Sequence, residues 1–309
     1  MAGPIRRFRQ PLLATRLGAL VALALAVGSG AAAARCIPVA GLDKPGDGVS
    51  LARLGGPGHN SGRILHLAQA AGKGAKSGDA MKSRGPALPP GHIEITFLGH
   101  SSFLLRTHKN ATAITDYNGY LRAPYAPDIV TMNRAHNTHF TLNVEPGVKH
   151  ILRGWPEKGK IPRHDVRVND LRVTNVPTNI RDGGNGDYGV AGNSIFIFES
   201  AGLCVVHLGH LHHMLRPSHA GRVGSVDILL APIDDAWTMS HADLVKVIDR
   251  LQPVVVIPMH FGSGDTLARF LALMKPRKYA VKMAKGKSAR FMKATLPVPT
   301  VLVLKGGWY

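Results

Sequence analysis

The chain has 309 residues, enough for one large domain or two small ones, and an apolar fraction of 45% supplies a sizeable core. The 38 Lys and Arg residues outnumber the 19 Asp and Glu residues, which gives a formal net charge of +19. No nucleic-acid motif and no basic helix with interleaved aromatic residues accompanies this charge, so no nucleic-acid partner is expected, and anionic substrates or membrane headgroups are better candidates.

Residues 1–34 have the three parts of a secretory signal. Basic residues come first, an apolar run follows at residues 17–27, and small residues end the segment at 31–34. The apolar run is short for a bilayer span, so an uncleaved anchor is the alternative, and no stable span is expected after signal removal. We therefore predict a periplasmic or secreted protein.

Residues 35–91 are rich in Gly, Ala, Lys, Ser and Pro, with breakers at Gly55-Gly56-Pro57-Gly58 and Leu88-Pro89-Pro90-Gly91. This composition predicts a flexible linker, which places the folded domain at residues 92–309. Only two cysteines are present, which excludes a disulfide scaffold. Cys36 and Cys204 can pair only if the mature N-terminus reaches the core. Because Cys204 lies inside a strand-like run, we expect two unpaired thiols instead.

Short β-type runs begin at residue 92, and helical patterns appear only later in the chain. In addition to the run that starts at Ile129, strands are predicted at residues 93–98, 103–106, 111–114, 148–152, 166–169, 171–176, 194–199, 203–206, 226–231, 254–257 and 300–304. Helical spacing predicts helices at 240–251 and 265–274, with Ser240 as a suitable N-cap of the first. Many strands followed by strand–helix alternation indicate an α/β (α+β) protein with two sheets flanked by helices.

Three strand-like runs end in histidines. The run at Ile129 leads into Arg134-Ala135-His136-Asn137-Thr138-His139, residues 203–206 lead into His207-Leu208-Gly209-His210-Leu211-His212-His213, and residues 254–257 lead into Pro258-Met259-His260. A strand fixes where such side chains begin, and imidazole is a preferred zinc ligand. These histidines predict one metal-centred cavity; the alternative is polar loops with surface histidines.

These motifs resemble the metallo-β-lactamase superfamily. Ile95-Thr96-Phe97-Leu98-Gly99-His100-Ser101-Ser102-Phe103-Leu104, Thr115-Asp116 and the first histidine loop match its opening. Asn193-Ser194-Ile195-Phe196-Ile197-Phe198-Glu199, His207-Leu208-Gly209 and Ile257-Pro258-Met259-His260 are similar to its branch of L-ascorbate-6-phosphate lactonase-like and Zn-dependent hydrolases. The resemblance covers about residues 92–304. It implies a metallo-β-lactamase-like αββα sandwich of two mixed β-sheets flanked by helices, with the metal site at one edge between the sheets.

The ligand motif departs from the family pattern. The family loop His-x-His-x-Asp-His begins with Arg134 here, the next family histidine falls near Arg181-Asp182, and the bridging Asp falls on His210. The resemblance thus leaves His139, His210 and His260 to hold one Zn²⁺, with His136 as a fourth ligand or a nearby base. Other divalent metals are an alternative, since imidazole-rich sites accept several ions.

The resemblance also suggests roles for residues beside the ligands. Guanidinium groups only donate hydrogen bonds, so Arg134 and Arg181 are expected to clamp a small anionic or carbonyl-bearing substrate, unless they form surface salt bridges. Asp182 is expected to orient a histidine or act as a base. Asp116 matches a family Asp that braces the ligand loop. His207 is interpreted as a hydrogen-bonded core residue and Asp234-Asp235 as a solvated loop pair.

Together these features predict a metal-dependent hydrolase with a mononuclear, histidine-rich site. It would cleave a lactone, ester or phosphoester by metal-bound hydroxide, with arginines stabilising charge in the transition state. The alternative is a catalytically inactive protein of the same fold that binds a ligand or a metal. No pattern in the sequence specifies the oligomeric state.

Overall fold

The computed structural model of the protein describes Gly3, Cys36, residues 84–181 and residues 188–306. The predicted signal and most of the predicted linker lie outside the described residues, as does Asp182. The chain divides into two units, Met1–Ala32 and Ala33–Tyr309, and the described residues other than Gly3 belong to the second unit. Within the described residues, no helix combines the length and the apolar character that a bilayer crossing requires.

Fourteen strands and three α-helices make up the described part of the second unit. In chain order the elements are β1 (His92–Gly99), β2 (Ser102–Thr107), β3 (Thr112–Ile114), β4 (Ile129–Met132), β5 (His150–Arg153), β6 (Asp165–Val168), β7 (Leu171–Arg181), β8 (Tyr188–Ser200), β9 (Leu203–His207), α1 (Pro217–Val223), β10 (Ile228–Pro232), α2 (His241–Leu251), β11 (Val255–Met259), α3 (Gly264–Met274), β12 (Ala280–Met283), β13 (Ser288–Met292) and β14 (Thr300–Val303). Short 3₁₀ helices span Lys275–Arg277 and Lys293–Thr295.

The strands form two mixed sheets. One has the order β13-β1-β2-β3-β4-β5 and the other the order β12-β14-β11-β10-β9-β8-β7-β6. All residues of β9, β10 and β11 are buried, and these three strands are parallel neighbours. Continuous apolar runs are typical of parallel strands that are covered on both faces. The second sheet therefore lies in the interior of the domain.

Two apolar layers cover the faces of this second sheet. The inner layer joins it to the first sheet through side chains such as Phe103, Phe196 and Ile257. The outer layer packs β-strand residues against α2 and α3, for example through Ile248 and Phe270. The predicted sandwich of two mixed sheets is confirmed. On the outer face of the first sheet, however, the described residues form an apolar cluster from strand and loop side chains rather than from a helix.

Most predicted elements are present, and the differences have a physical reason. Ser240 caps α2 as predicted, because its side chain accepts a hydrogen bond from the backbone N–H of Asp243. α1, β12 and β13 were not predicted from the sequence. β12 reads Ala-Val-Lys-Met, which does not alternate between apolar and polar residues as the strand predictions required, and more lysines follow it.

The expectation of two unpaired thiols is wrong. Cys36 forms a disulfide with Cys204 in β9, across a sequence separation of 168 residues. Both cysteines belong to the apolar layer beneath α2 and α3. Cys204 is part of a strand as predicted, but its side chain faces this outer layer, where Cys36 reaches it. The disulfide therefore ties one position of the predicted linker to the second sheet.

Asp128 ties the segment before β1 to the domain. Arg84 donates to both of its carboxylate oxygens at 2.7 and 3.1 Å, and Lys149 donates at 3.0 Å. Thr112 adds hydrogen bonds from its backbone N–H and its hydroxyl. Burial alone would raise the pKa of Asp128, but these hydrogen bonds hold the pKa at about 2. The lowered pKa means that the ionised form stabilises the folded state.

We expect Asp128→Asn to lower the free energy of unfolding by about 2 kcal/mol at pH 7. The folded pKa lies below the unfolded value, so the stabilisation is complete above about pH 4 and is lost as the pH falls through the folded pKa. At pH 3 the difference between wild type and variant should be about half as large. Urea denaturation measures both differences, with Asp249→Asn in the exposed Arg277 pair as the control. Equal differences at the two pH values would contradict this assignment.

Candidate metal centre

Four imidazole rings meet at one point. The Nε2 atoms of His139 and His260 are 3.1 Å apart, and those of His136 and His210 are 3.2 Å apart. One nitrogen from each ring lies within 4.8 Å of the others. His139, His210 and His260 are buried, whereas His136 is partly exposed. The structure thus brings together all four histidines that the sequence analysis proposed as ligands.

The ends of three strands position these rings. His136 and His139 follow β4, His210 lies three residues beyond β9, and His260 directly follows β11. Because β9, β10 and β11 run parallel, their carboxyl ends lie at the same edge of the sheet. Loops at the carboxyl ends of parallel strands are a common place for binding sites. The fold therefore delivers residues that are far apart in sequence to one place.

The opposite nitrogen of each ring has a partner in the surrounding protein. The Nδ1 partners are Asp116 for His139 (2.6 Å), Asp234 for His260 (3.3 Å), Thr138 for His136 (2.7 Å) and His212 for His210 (2.6 Å). Partners of this kind fix the orientation of a ligating ring. Here they leave all four Nε2 atoms directed toward one another.

The geometry of His139 and His260 indicates what the centre holds. Each ring donates its Nδ1 proton to a carboxylate, His139 to Asp116 and His260 to Asp234. An imidazole that holds its single proton on Nδ1 carries a lone pair on Nε2. Two lone pairs that face each other at 3.1 Å repel, and a cation between them removes the repulsion. The donor set therefore fits a divalent metal ion.

The pKa values of the ring nitrogens and of Asp116 agree with this arrangement. Burial lowers the pKa of His136 to about 4 and also lowers the pKa of His139 and of His210. These rings are therefore neutral near pH 7, as metal binding requires. Burial alone would raise the pKa of Asp116, but the rings of His139 and His207 hold it at about 2. Asp116 is thus an ionised acceptor for the Nδ1 proton of His139, and its predicted bracing role is confirmed.

Two buried asparagines that the sequence analysis did not single out join the histidine loops. Asn133 donates to Asp116 at 2.9 Å, and Asn193 accepts a hydrogen bond from the backbone N–H of His210 at 2.7 Å. Gly209 lies between them with φ at +61°, and a Cβ atom there would come within 2.4 Å of both side-chain amides. Only glycine fits this position. The site thus depends on close packing as well as on its ligands.

Three residues of the site have a left-handed backbone. His100, Asp116 and His260 have φ values of 51°, 41° and 55°. Such conformations cost about 1–2 kcal/mol for residues other than glycine. Here they are held by local contacts: the backbone N–H of His260 donates to the carbonyl of His100 at 2.8 Å, and the two rings lie 4.2 Å apart. Backbone strain of this kind is characteristic of functional sites.

Asp234 is the functional residue that the sequence analysis placed wrongly. Its side chain is buried rather than solvated, and it accepts hydrogen bonds from the backbone N–H groups of Ala236, Trp237 and Thr238. Asp235 is partly exposed and accepts a hydrogen bond from the backbone N–H of His241. No spacing pattern links Asp234 to His260, so the sequence carried no signal for this contact.

The predicted arginines lie outside the ring of imidazoles. Arg134 is exposed, and its backbone N–H donates to the carbonyl of Gly192. Arg181 is also exposed, and its guanidinium donates to the carbonyls of Ala236 and Thr238 while its Nε lies 3.3 Å from His212. Arg181 therefore braces the loop that follows Asp234. The roles of both arginines toward a substrate stay predictions, as does the role of Asp182, which lies outside the described residues.

The interpretation of His207 as a core residue is confirmed. His207 is fully buried, its Nε2 donates to the carbonyl of Ser101 at 2.9 Å, and its Nδ1 accepts from the backbone N–H of Gly209. Both ring nitrogens are thereby used within the protein. His207 supports the turn between β1 and β2 and the approach to His210.

A cavity of about 520 Å³ opens onto the imidazoles. Its lining residues are His100, His136, Asp234, Ala236, Trp237, His260, Phe261 and Gly262. Trp237 is 73% exposed, although the hydrogen bonds to Asp234 and from Arg181 fix the backbone around it. Concave sites with apolar walls and a few polar groups are typical of small-molecule binding. The centre is therefore accessible to a small molecule.

The two mixed sheets and the histidine centre at their edge define a protein of the metallo-β-lactamase fold. Residues 94–260, more than half of the chain, match the family model of the β-lactamase superfamily domain. The chain belongs to this superfamily.

Similar proteins agree with this assignment. A UPF0173 metal-dependent hydrolase of Methanosarcina barkeri is 24% identical over 197 residues, which cover 57% of this chain and 86% of that protein. One from Archaeoglobus fulgidus is 26% identical over 194 residues, which cover 55% of this chain and 84% of that protein. A metallo-β-lactamase-superfamily crystal structure from Thermotoga maritima has a TM-score of 0.51 at 24% identity and covers 69% of this chain and 98% of the solved chain. The similarity to the Thermotoga maritima structure shows a shared fold and nothing more.

Proposed function

We propose that this protein is an exported metal-dependent hydrolase that cleaves an ester or a lactone of a small carbonyl compound. His139, His210 and His260 hold one divalent ion, for which zinc is the first choice because its tetrahedral sites accept three imidazoles. The observation that carries the proposal is the 3.1 Å approach of the Nε2 atoms of His139 and His260, whose Nδ1 atoms both contact carboxylates. The names of the archaeal relatives, metal-dependent hydrolases, support the same class of reaction.

The geometry favours one ion over two. One nitrogen from each of the four rings lies within 4.8 Å of the others, and the group contains no carboxylate among the described residues. Two-metal centres place their ions about 3.5–4 Å apart, which needs a wider set of ligands. Catalytic zinc sites commonly keep three protein ligands and one open position. We assign the three buried rings to the ion and leave His136 beside it.

The chain supplies the remaining parts of the reaction. When bound, the ion acts as a Lewis acid and lowers the pKa of a bound water to about 7. His136 is the most exposed of the four rings and lines the cavity, so its Nε2 is placed to accept a proton from an attacking water and to return it to the leaving group. Thr138 orients this ring through its Nδ1. Asp116 and Asp234 fix the ring orientations of His139 and His260 through their Nδ1 atoms.

The proposed location outside the cytoplasm has one structural support. Disulfides persist in the periplasm and in secreted proteins but are rare in the cytosol of mesophiles. The Cys36–Cys204 disulfide joins the first residues after the predicted signal to β9. This agrees with removal of the signal before Cys36, which would leave the disulfide in the mature protein.

Removal and return of the metal test the proposed function. Hydrolysis of p-nitrophenyl acetate is expected to be lost when a chelator strips the protein and to return with one equivalent of Zn²⁺ per chain. Release of p-nitrophenol measures the rate, and circular dichroism checks that the stripped protein is still folded. Undiminished hydrolysis by a protein shown to be metal-free would contradict the proposal.

A further inference from the structure

A second cavity of about 230 Å³ adjoins the metal cavity. Its lining residues are Phe97, His100, Phe261, Met283, Ala284, Val303, Leu304, Lys305 and Gly306. His100 and Phe261 line both cavities, so the two spaces meet at these side chains. Phe261 directly follows His260 in the chain. We call this second cavity the apolar chamber.

The walls of the apolar chamber are packed against the core and joined by a backbone hydrogen bond. Phe97, Val303 and Leu304 are buried, and the ring of Phe97 lies 5.0 Å from that of Phe103. The backbone N–H of Ala284 donates to the carbonyl of Val303 at 2.8 Å, which holds the end of β12 beside the end of β14. The chamber is therefore formed by strand ends before any ligand enters.

The rim of the apolar chamber is more open than its walls. Met283 is 64% exposed, and Lys305 is also exposed. Methionine side chains adapt to ligands of different shapes. At Gly306 a Cβ atom would come within 2.3 Å of the Phe97 ring, so glycine is what allows the chain to pass over this wall. A ligand group that enters thus meets apolar carbon on most sides, with a single ammonium group at the edge.

We propose that the apolar chamber binds an uncharged aliphatic or aromatic acyl group of the substrate. The carbonyl carbon, whose bond to the leaving oxygen is hydrolysed, then lies against His136 and His260. This inference rests on the proposed function and names its substrate class: esters or lactones with an apolar acyl part. His100 and Phe261 line both cavities, so a ligand that extends from the imidazoles past these side chains reaches the chamber. Each methylene that leaves water for the chamber strengthens binding by about fourfold.

A series of p-nitrophenyl esters tests the chamber. The kcat/KM for the hexanoate is expected to exceed that for the acetate by at least about tenfold, since four more methylenes are buried. Ala284→Phe fills the chamber, so the hexanoate-to-acetate ratio should fall to about threefold or less. Ala294→Phe adds the same ring at an exposed position outside both cavities and should keep the wild-type ratio. Met283→Glu changes only the exposed rim and should lower the ratio without disturbing the core.

A binding measurement separates the chamber from the proposed function. In calorimetry, octanamide is expected to bind the metal-loaded protein at least about tenfold more tightly than acetamide, and Ala284→Phe should abolish this preference. If no ester is hydrolysed but octanamide binds more tightly than acetamide and Ala284→Phe abolishes the difference, the acyl-binding role of the chamber is supported and the proposed function is contradicted. If both esters are hydrolysed at equal kcat/KM and octanamide binds no better than acetamide, the function stands and the chamber is overturned.

Discussion

His260→Ala is expected to reduce kcat/KM for p-nitrophenyl acetate by more than about 100-fold and to leave the purified protein largely without metal. Loss of a residue that only orients a ligand typically costs 10–100-fold in metal affinity or activity, so loss of a ligand itself should cost more. His260 is buried, its Nε2 lies 3.1 Å from that of His139, and its Nδ1 is held by Asp234. Product release and elemental analysis measure the two effects.

Two further variants separate the loss of the ligand from damage to the fold. His260→Gly also lacks the imidazole but accommodates the left-handed backbone, so it should be equally inactive yet more stable than His260→Ala. His150→Ala removes a partly buried imidazole from β5, outside the centre, and should keep both activity and metal. A His260→Ala protein with wild-type turnover and metal content would exclude the proposed ligand set.

Cys36→Ser is expected to lower the free energy of unfolding by about 2–5 kcal/mol. The disulfide closes a loop across 168 residues, and in the chain-entropy account long loops give large stabilisation. Cys36 also packs in the apolar layer beneath α2 and α3, where a serine hydroxyl is less favourable. Urea denaturation of wild type and variant under oxidising conditions measures the difference.

Reduction provides the control for this prediction. Dithiothreitol should destabilise the wild type by a similar amount and should have no effect on Cys36→Ser. A wild type whose denaturation midpoint does not change on reduction would show that the cross-link is absent or contributes nothing. Neither result affects the metal centre, since both cysteines lie in the helix-side layer of the second sheet.

The sequence predicted those site residues that follow strand-like apolar runs. Apolar runs that end in histidine predicted His210 and His260, which meet because β9, β10 and β11 run parallel. The same pattern predicted His139 after β4, which belongs to the first sheet. Ser240 and α2 followed from capping and helical periodicity. Such signals are local, and each is complete within a dozen residues.

The contacts that the sequence did not predict are long-range. The Asp234–His260 contact, the disulfide and the hydrogen bond from Asn133 to Asp116 join segments with no shared periodicity. The hydrogen bonds from the Arg181 guanidinium to backbone carbonyls of the loop after Asp234 were likewise not predicted. Such assignments depend on which side chains fill a given space, and that is fixed only by tertiary packing.

The proposed metal centre depends on His139 and His260, whose Nε2 atoms lie 3.1 Å apart. Carboxylates hold the Nδ1 protons of His139 and His260, which leaves their lone pairs directed at one point. Neutral rings, buried carboxylate partners and a strained left-handed backbone all occur together there. Each of these features lowers the stability of the folded protein, and a bound cation offsets this loss.

Metal stoichiometry with X-ray absorption at the metal edge tests this claim most directly. Protein purified without chelators is expected to contain one divalent ion per chain, bound by at least three imidazole nitrogens at about 2.0–2.1 Å if the ion is zinc. Two ions per chain, or a single ion with an oxygen-only ligand set, would contradict the proposed centre.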